Sequence, residues 1–212
     1  HYMEGTYSTE LPAVLGHESA GVVAAVGPDV SEVAPGDHVI TSLSVFCGSC
    51  PYCRADTPYL CARREATQRQ PGQPARLSRD GQQLHQFLNL SSFAERMLVH
   101  ENAVVKIDPA MPLDRAALLG CGVATGLGAV LNTAGVRPGQ TVAVIGCGGV
   151  GLSAIQGARL AGASVIAAVD VVPAKLELAA KFGATHLVDS SNQDPTEAVQ
   201  QLTDGLGVDH AI

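Results

Sequence analysis

Four of the six cysteines fall in one window of fifteen residues, Cys47-x2-Cys50-x2-Cys53-x7-Cys61, with Gly48, Pro51 and Pro58 between them to bend the backbone. Four thiolates that close in sequence can complete a tetrahedral shell around Zn2+. A completed shell leaves no open position for a substrate, so the site reads as structural. The metal then replaces a hydrophobic core, and zinc binding to small motifs contributes roughly 10–16 kcal/mol to folding. Two disulfides or a redox C-x-x-C are alternatives, the first needing an oxidising compartment and the second a helix start. An iron–sulfur site is the serious rival, because the spacing is close to a ferredoxin run.

A second chemical signal is Gly146-Cys147-Gly148-Gly149-Val150-Gly151, a G-x-G-x-x-G that directly follows the apolar run Thr141 to Gly146 and opens a segment of helical spacing. In that pattern Gly146 makes the tight turn, Gly148 lets a pyrophosphate approach the backbone, and Gly149 and Val150 begin the helix. Gly151 lets helix and strand pack closely. The helix N-terminus offers free N–H groups and a positive dipole end to the phosphates. Asp170 stands 19 residues after Gly151, where a carboxylate accepts the adenosine ribose hydroxyls. That carboxylate repels a 2'-phosphate, and Val171, Val172 and Pro173 bring no arginine, so NAD is expected rather than NADP. Lys175 reads equally well as a ribose contact or as a solvated helix lysine.

The third signal is weaker. Gly16-His17-Glu18 precedes an apolar run, and Cys121 follows about a hundred residues later. On residue type alone a histidine is more often a satisfied core or surface group than a ligand, and a cysteine more often a small hydrophobe.

The elements that must position these groups fall into two rhythms. In the first half, Ser19 to Val26, Asp37 to Ile40 and Ala94 to Val99 are short apolar or alternating runs bounded by turn signals such as Gly27-Pro28 and Pro35-Gly36, the pattern of a small barrel-like β module. Arg63 to Gln83 has no usable periodicity and reads as a surface loop. From Thr141 onward strands and helices alternate: Thr141 to Gly146, Gly149 to Ala161, Ser164 to Asp170, Pro173 to Phe182, His186 to Asp189, Pro195 to Thr203 and Val208 to Ile212. That alternation predicts βαβ units and a parallel, doubly wound sheet. The domains are expected at 1–120 and 121–212. Composition narrows the function classes. A net charge of -7 is the wrong sign for wrapping nucleic acid. Thr141 to Val172, the most apolar region, is broken by Gln156, Arg159 and several glycines and gives no clean membrane span.

Taken in order, Gly16-His17-Glu18 with Ala20-Gly21-Val22-Val23, Pro35-Gly36-Asp37-His38-Val39, the four-cysteine lobe, Gly120-Cys121-Gly122 with Thr125-Gly126, and then GCGGVG with Asp170, resemble the zinc-dependent alcohol dehydrogenases of the medium-chain dehydrogenase/reductase superfamily. Several of these motifs are weak singly; their joint occurrence is specific. The segment Arg76 to Phe93, with His85-Gln86-Phe87-Leu88, is similar to the class acting on primary alcohols and aldehydes or on thiol–aldehyde adducts. The resemblance implies an α/β fold, a GroES-like catalytic module joined to a Rossmann domain with catalytic zinc between them. It also decides the cysteine lobe for zinc. It makes His17 and Cys121 zinc ligands, lets Glu18 exchange onto the metal, packs Thr125 and Val150 on the nicotinamide, and makes His1 the outer member of a proton relay.

The family's third zinc ligand, a cysteine, and its proton-passing Ser or Thr precede the position of His1. The start at His1 without a methionine and the stop at Ile212 inside an expected fourth strand therefore read as a chain cut at both ends, incompetent as it stands. The expected whole is a cytoplasmic homo-oligomer holding one structural and one catalytic zinc and NAD, moving hydride between the cofactor and a primary alcohol or thiol–aldehyde adduct. The alternative is a non-catalytic dinucleotide-binding protein that keeps only the structural zinc. Leu43 reads as a pocket wall or as simple core, and Arg63, Arg64, Arg69, Arg76 and Arg79 as an anion attractor or a solvated face.

Overall fold

Turn residues cut the first half of the chain into strands of two to five residues, and the second half follows the longer rhythm of helix and strand. The computed structural model describes residues 4–6, 10–70 and 72–212 and divides into two units, one ending at Cys121 and one starting at Gly122.

The first unit contains β1 (Ala13–Val14), β2 (Ala20–Val22), β3 (His38–Thr41), the single-turn α1 (Pro51–Arg54), β4 (Leu77–Arg79), β5 (Gln82–Gln86), β6 (Val104–Lys106) and α2 (Leu113–Ala116). β2, β3 and β6 make one antiparallel sheet, and β1, β5 and β4 a second in which β1 runs parallel to β5. Strand β3 shows why the register holds: Val39 and Thr41 are buried while His38 and Ile40 on the other face are only partly so, the period of two that a half-buried strand requires. Val45, Leu90 and Ala103 form the small core of this unit, with Leu43, Met97 and Val99 packed on it. Leu43 is therefore core here. Helix α1 buries none of its residues, so apolar packing does not hold the cysteine lobe.

Two expectations for this unit are corrected. Arg63 to Gln83 is not a bare loop: after a 3-10 turn at Arg64–Thr67 it forms β4 and the start of β5. The joint is Asp80-Gly81, both at positive φ (51° and 79°), a two-residue hairpin turn whose twist matches that of the flanking strands. Ala94 to Val99 is not a strand. Its alternation is real, with Met97 and Val99 on the core and Leu98 68% exposed, but the Leu98 carbonyl is taken by the Gln86 side chain instead of a neighbouring strand.

The second unit runs α3 (Gly122–Gly128), a π-helical turn (Ala129–Ala134), β7 (Thr141–Ile145), α4 (Gly149–Leu160), β8 (Val165–Asp170), α5 (Pro173–Phe182), β9 (His186–Asp189), α6 (Pro195–Gln201) and β10 (His210–Ala211). All four strands are parallel in the order β10-β7-β8-β9. This is the doubly wound arrangement, with its switch point between β7 and β10, and ligands bind at the carboxyl ends of the strands there. Alternate residues of β7 and β8 serve two cores. Val142, Val144, Ile166 and Ala168 pack with Ile155 of α4 and Leu176 of α5. Ala143, Ala167 and Val169 pack with Val188 and with Val199 of α6. Burial on both faces explains the unbroken apolar runs of these strands. Helix α5 starts with Pro173 and ends at Gly183 with φ 117°, the usual asymmetry of helix ends. No single helix among the described residues is long and apolar enough to cross a membrane.

Candidate metal centres and nucleotide loop

The four lobe cysteines converge. Their sulfurs all lie within 4.8 Å of one another, and a tetrahedral zinc with Zn–S of about 2.3 Å places sulfurs about 3.8 Å apart. The turns at Gly48 (φ 73°) and α1 bring Cys47, Cys50 and Cys53 round to face Cys61. Cys50 and Cys61 are buried, 1% and 8% exposed. Cys50 Sγ and Cys53 Sγ stand 3.4 Å apart, far outside S–S bonding length, and all six cysteines are free. Backbone N–H groups prepare the anionic form. Those of Ser49 and then Cys50 bring the Cys47 thiol down to about 5, and those of Cys53 and Ala62 lower Cys50. Burial and the neighbouring Cys50 push Cys53 up to about 11. Two of the four donors, Cys47 and Cys50, are thus poised for a cation, while Cys53 is held back by its burial. The Cys47 N–H also donates to Cys61 Sγ at 3.3 Å.

His17 and Cys121 meet although 104 residues separate them: His17 Nε2 stands 3.3 Å from Cys121 Sγ. A tetrahedral zinc with N at about 2.0 Å and S at about 2.3 Å spaces the two atoms at about 3.5 Å, so this pair fits two corners of such a site. Two glycines permit the approach. Gly16 has φ 92°, and a Cβ there would collide with Ser92 Oγ and the Phe93 ring and backbone. A Cβ on Gly120 would run into the Thr41 carbonyl oxygen at the end of β3. The backbone pairing of Ser92 with Gly16 and of Phe93 with Leu15 fixes the first of these turns. Phe87, buried, tilts its ring 59° against the His17 ring at 6.2 Å. Glu18 is exposed beside His17. Among the described residues no third His, Cys, Asp or Glu joins the pair into a metal-binding group, and His1 lies outside the described residues.

The glycine loop has the geometry of an anion cradle. Gly146 sits at φ 94°, which an L side chain resists, and a Cβ on Gly151 would collide with the Gly146 carbonyl oxygen. At Gly148 and Gly149 a Cβ would meet nothing within 4 Å, so the backbone there is open to a ligand. The helix ends of this unit differ usefully. Helix α6 is capped by Asp194, which accepts from the N–H groups of Thr196 and Glu197, whereas α4 begins at Gly148 with no side-chain cap. The N–H groups of the first α4 turn are left for something else to satisfy.

Asp170, 7% exposed at the end of β8, accepts from the Cys147 N–H at 2.7 Å through one oxygen and from the Val172 N–H at 2.9 Å through the other. The Cys147 N–H is the main reason its carboxyl lies below the ordinary value, with Val172 and then Lys175, 3.8 Å away, adding to the effect against desolvation. Each oxygen keeps lone-pair capacity for a hydroxyl donor. Val150 is 47% exposed, and its carbonyl abuts Gly126 of α3, the neighbour of exposed Thr125.

Sequence reasoning missed the roles of Gly16 and Gly120; the signal was a glycine immediately before each suspected ligand. It left the five arginines open, and the structure gives each a partner within the chain. Arg63 donates to Ser49 and Arg64 to the Tyr59 carbonyl, Arg69 donates to the Gln73 carbonyl and Arg76 to Gln86, and Arg79 pairs with Asp80.

Comparison with known proteins agrees with these features. Residues 1–109 match the alcohol dehydrogenase GroES-like domain family and residues 149–212 the zinc-binding dehydrogenase family. An S-(hydroxymethyl)glutathione dehydrogenase of Saccharomyces cerevisiae is 46% identical over 204 residues, covering 92% of this chain and 53% of the relative. The chain thus spans about half the length of the curated relatives it matches. Among solved structures, an alcohol dehydrogenase zinc-binding domain protein from Burkholderia ambifaria superposes with a TM-score of 0.86 at 44% identity, over 95% of this chain and 55% of the other. Benzyl alcohol dehydrogenase from Acinetobacter calcoaceticus gives 0.83 at 40% identity, over 97% and 56%.

Proposed function

The chain belongs to the zinc-dependent alcohol dehydrogenase family of the medium-chain dehydrogenases, with a GroES-like module and a partial Rossmann sheet, and from that premise we propose that it serves hydride transfer between NAD and a primary alcohol or thiol–aldehyde adduct. The observation that carries the reading is the 3.3 Å approach of His17 Nε2 to Cys121 Sγ across 104 residues. A packing accident has no reason to place two zinc-type donors at ligand spacing behind two obligatory glycines.

A zinc held at such a site would supply Lewis-acid polarisation of an alcohol or aldehyde oxygen, and a bound nicotinamide would supply the hydride acceptor or donor. The rest falls to this chain. His17 and Cys121 hold two corners of the metal site, with the Phe87 ring fixing the imidazole from one side. Glu18 stands ready as an exchanging carboxylate. The uncapped start of α4 and the open backbone at Gly148 and Gly149 receive the pyrophosphate. Asp170, held anionic, accepts the ribose hydroxyls, and Lys175 completes that contact. Thr125 and Val150 flank the nicotinamide. NAD is preferred to NADP because, among the described residues, the cation paired with Asp170 is Lys175, already facing the carboxylate, while the Val171 and Val172 side chains offer nothing to a phosphate. The four-cysteine lobe holds its zinc structurally.

On substrate, the relatives point two ways: one acts on S-(hydroxymethyl)glutathione and another on benzyl alcohol. The reaction is assigned to the cytoplasm, where free thiols persist. The test is zinc content and NADH formation by the full-length protein with primary alcohols, aromatic alcohols and S-(hydroxymethyl)glutathione. About two zincs per subunit with turnover supports the reading; a single zinc without NADH formation overturns it in favour of a non-catalytic dinucleotide-binding protein.

A further inference from the structure

The cysteine lobe has a polar outer layer that neither the motif nor the family match assigns. Four thiolates around Zn2+ sum to a net charge of about -2, carried by a lobe with no buried apolar core of its own. Arg63 Nη2 donates to Ser49 Oγ at 2.9 Å, and Ser49 Oγ in turn donates to Cys47 Sγ at 3.8 Å. The serine hydroxyl has one proton. With the guanidinium occupying a lone pair, that proton is directed at the sulfur, and the arginine's charge polarises the O–H bond along the same line. Ser49 lies inside the Cys47-to-Cys50 knuckle and Arg63 two residues beyond Cys61, so the chain of bonds also ties the first ligand turn to the exit of the last.

The geometry points to Arg63 and Ser49 as outer-layer positioning residues that slow zinc loss from the four-cysteine lobe, Arg63 acting through the Ser49 hydroxyl on Cys47. This rests on the lobe being a zinc site. Partners of metal ligands typically carry a 10–100-fold effect on affinity. Both residues here are exposed, so salt screens part of the charge and the effect belongs at or below the lower end of that range.

The experiment measures zinc release from the zinc-loaded chain to a chromogenic chelator for the parent, Arg63→Gln, Ser49→Ala, Ser49→Thr and the Arg63→Gln/Ser49→Ala double variant, at low and high sodium chloride. Expected are release about 3–10-fold faster in each of Arg63→Gln and Ser49→Ala, a double variant no faster than Ser49→Ala alone, parent-like release in Ser49→Thr, and an Arg63→Gln effect that shrinks in high salt. Release unchanged in Arg63→Gln, or rates that multiply in the double variant, overturns the relay, because Arg63 would then act on its own or not at all. Equal effects at both salt concentrations also overturn it, leaving only packing. Absence of zinc in the loaded parent is a different failure: it removes the metal reading of the lobe itself, and the inference with it.

Discussion

The two candidate metal-binding regions are built from the same chemistry by opposite routes. The lobe draws four ligands from fifteen consecutive residues, bent by local turns, and its sulfurs close on one another within 4.8 Å. The His17–Cys121 pair draws two donors from opposite ends of the first unit and holds them 3.3 Å apart only because Gly16 and Gly120 let backbones touch. A closed structural shell can be written into one loop. A site that must keep an open position depends on tertiary packing, and its supporting residues are not ligands at all. The nucleotide loop lies between these extremes: its glycines are contiguous, but the Cys147 N–H is held by Asp170, 23 positions away.

Substitutions should separate the routes. The largest effect is expected from Cys50→Ser, which opens the buried shell and forfeits most of the roughly 10–16 kcal/mol such sites contribute. Metal analysis and limited proteolysis should show zinc lost and cleavage within residues 47–61, with NADH binding by the second unit retained. Gly120→Ala should break the other site and spare the lobe. Its methyl collides with the Thr41 carbonyl, an overpacking cost of about 1–3 kcal/mol, or a fall in Tm of about 2–10 °C. Calorimetry that finds the parent Tm would remove the close approach from the account.

Asp170→Asn should be milder in the free protein and sharper with ligand. Hydrogen bonds to a charged group are worth about 1.5–3 kcal/mol, so NADH affinity should fall about 10-fold or more. The free protein gives a pH signature. The folded carboxyl lies below the ordinary value of about 3.9, so its stabilising contribution is fully present above that value and is lost as pH falls through the lower folded value. The stability gap between parent and Asp170→Asn should therefore be constant from pH 7 to about 5 and close below about 4. A gap that widens in acid would reverse the assigned direction.

What the sequence showed plainly was whatever is local. The cysteine spacing, the glycine loop and the βαβ rhythm were legible because each is decided within a few turns of chain; Pro173–Phe182 and His186–Asp189 appear at the expected bounds. The Asp80-Gly81 hairpin was equally local but lay in a polar stretch, Ser78 to Gln83, where no apolar alternation drew attention to it. Ala94 to Val99 misled in the opposite way, because alternation reports which side faces the core and not whether a neighbouring strand accepts the ladder. The contact at Gly120 was invisible, since nothing in Gly-Cys-Gly names Thr41 as the surface it must pass.

The contrast between the self-contained lobe and the assembled pair is tested most directly by zinc retained per chain after dialysis against a weak chelator, for this 212-residue polypeptide and its Cys50→Ser and Cys121→Ser forms. The account predicts about one zinc in the parent, the same in Cys121→Ser and none in Cys50→Ser. Zinc that survives Cys50→Ser but disappears with Cys121→Ser, or iron in place of zinc, would contradict it.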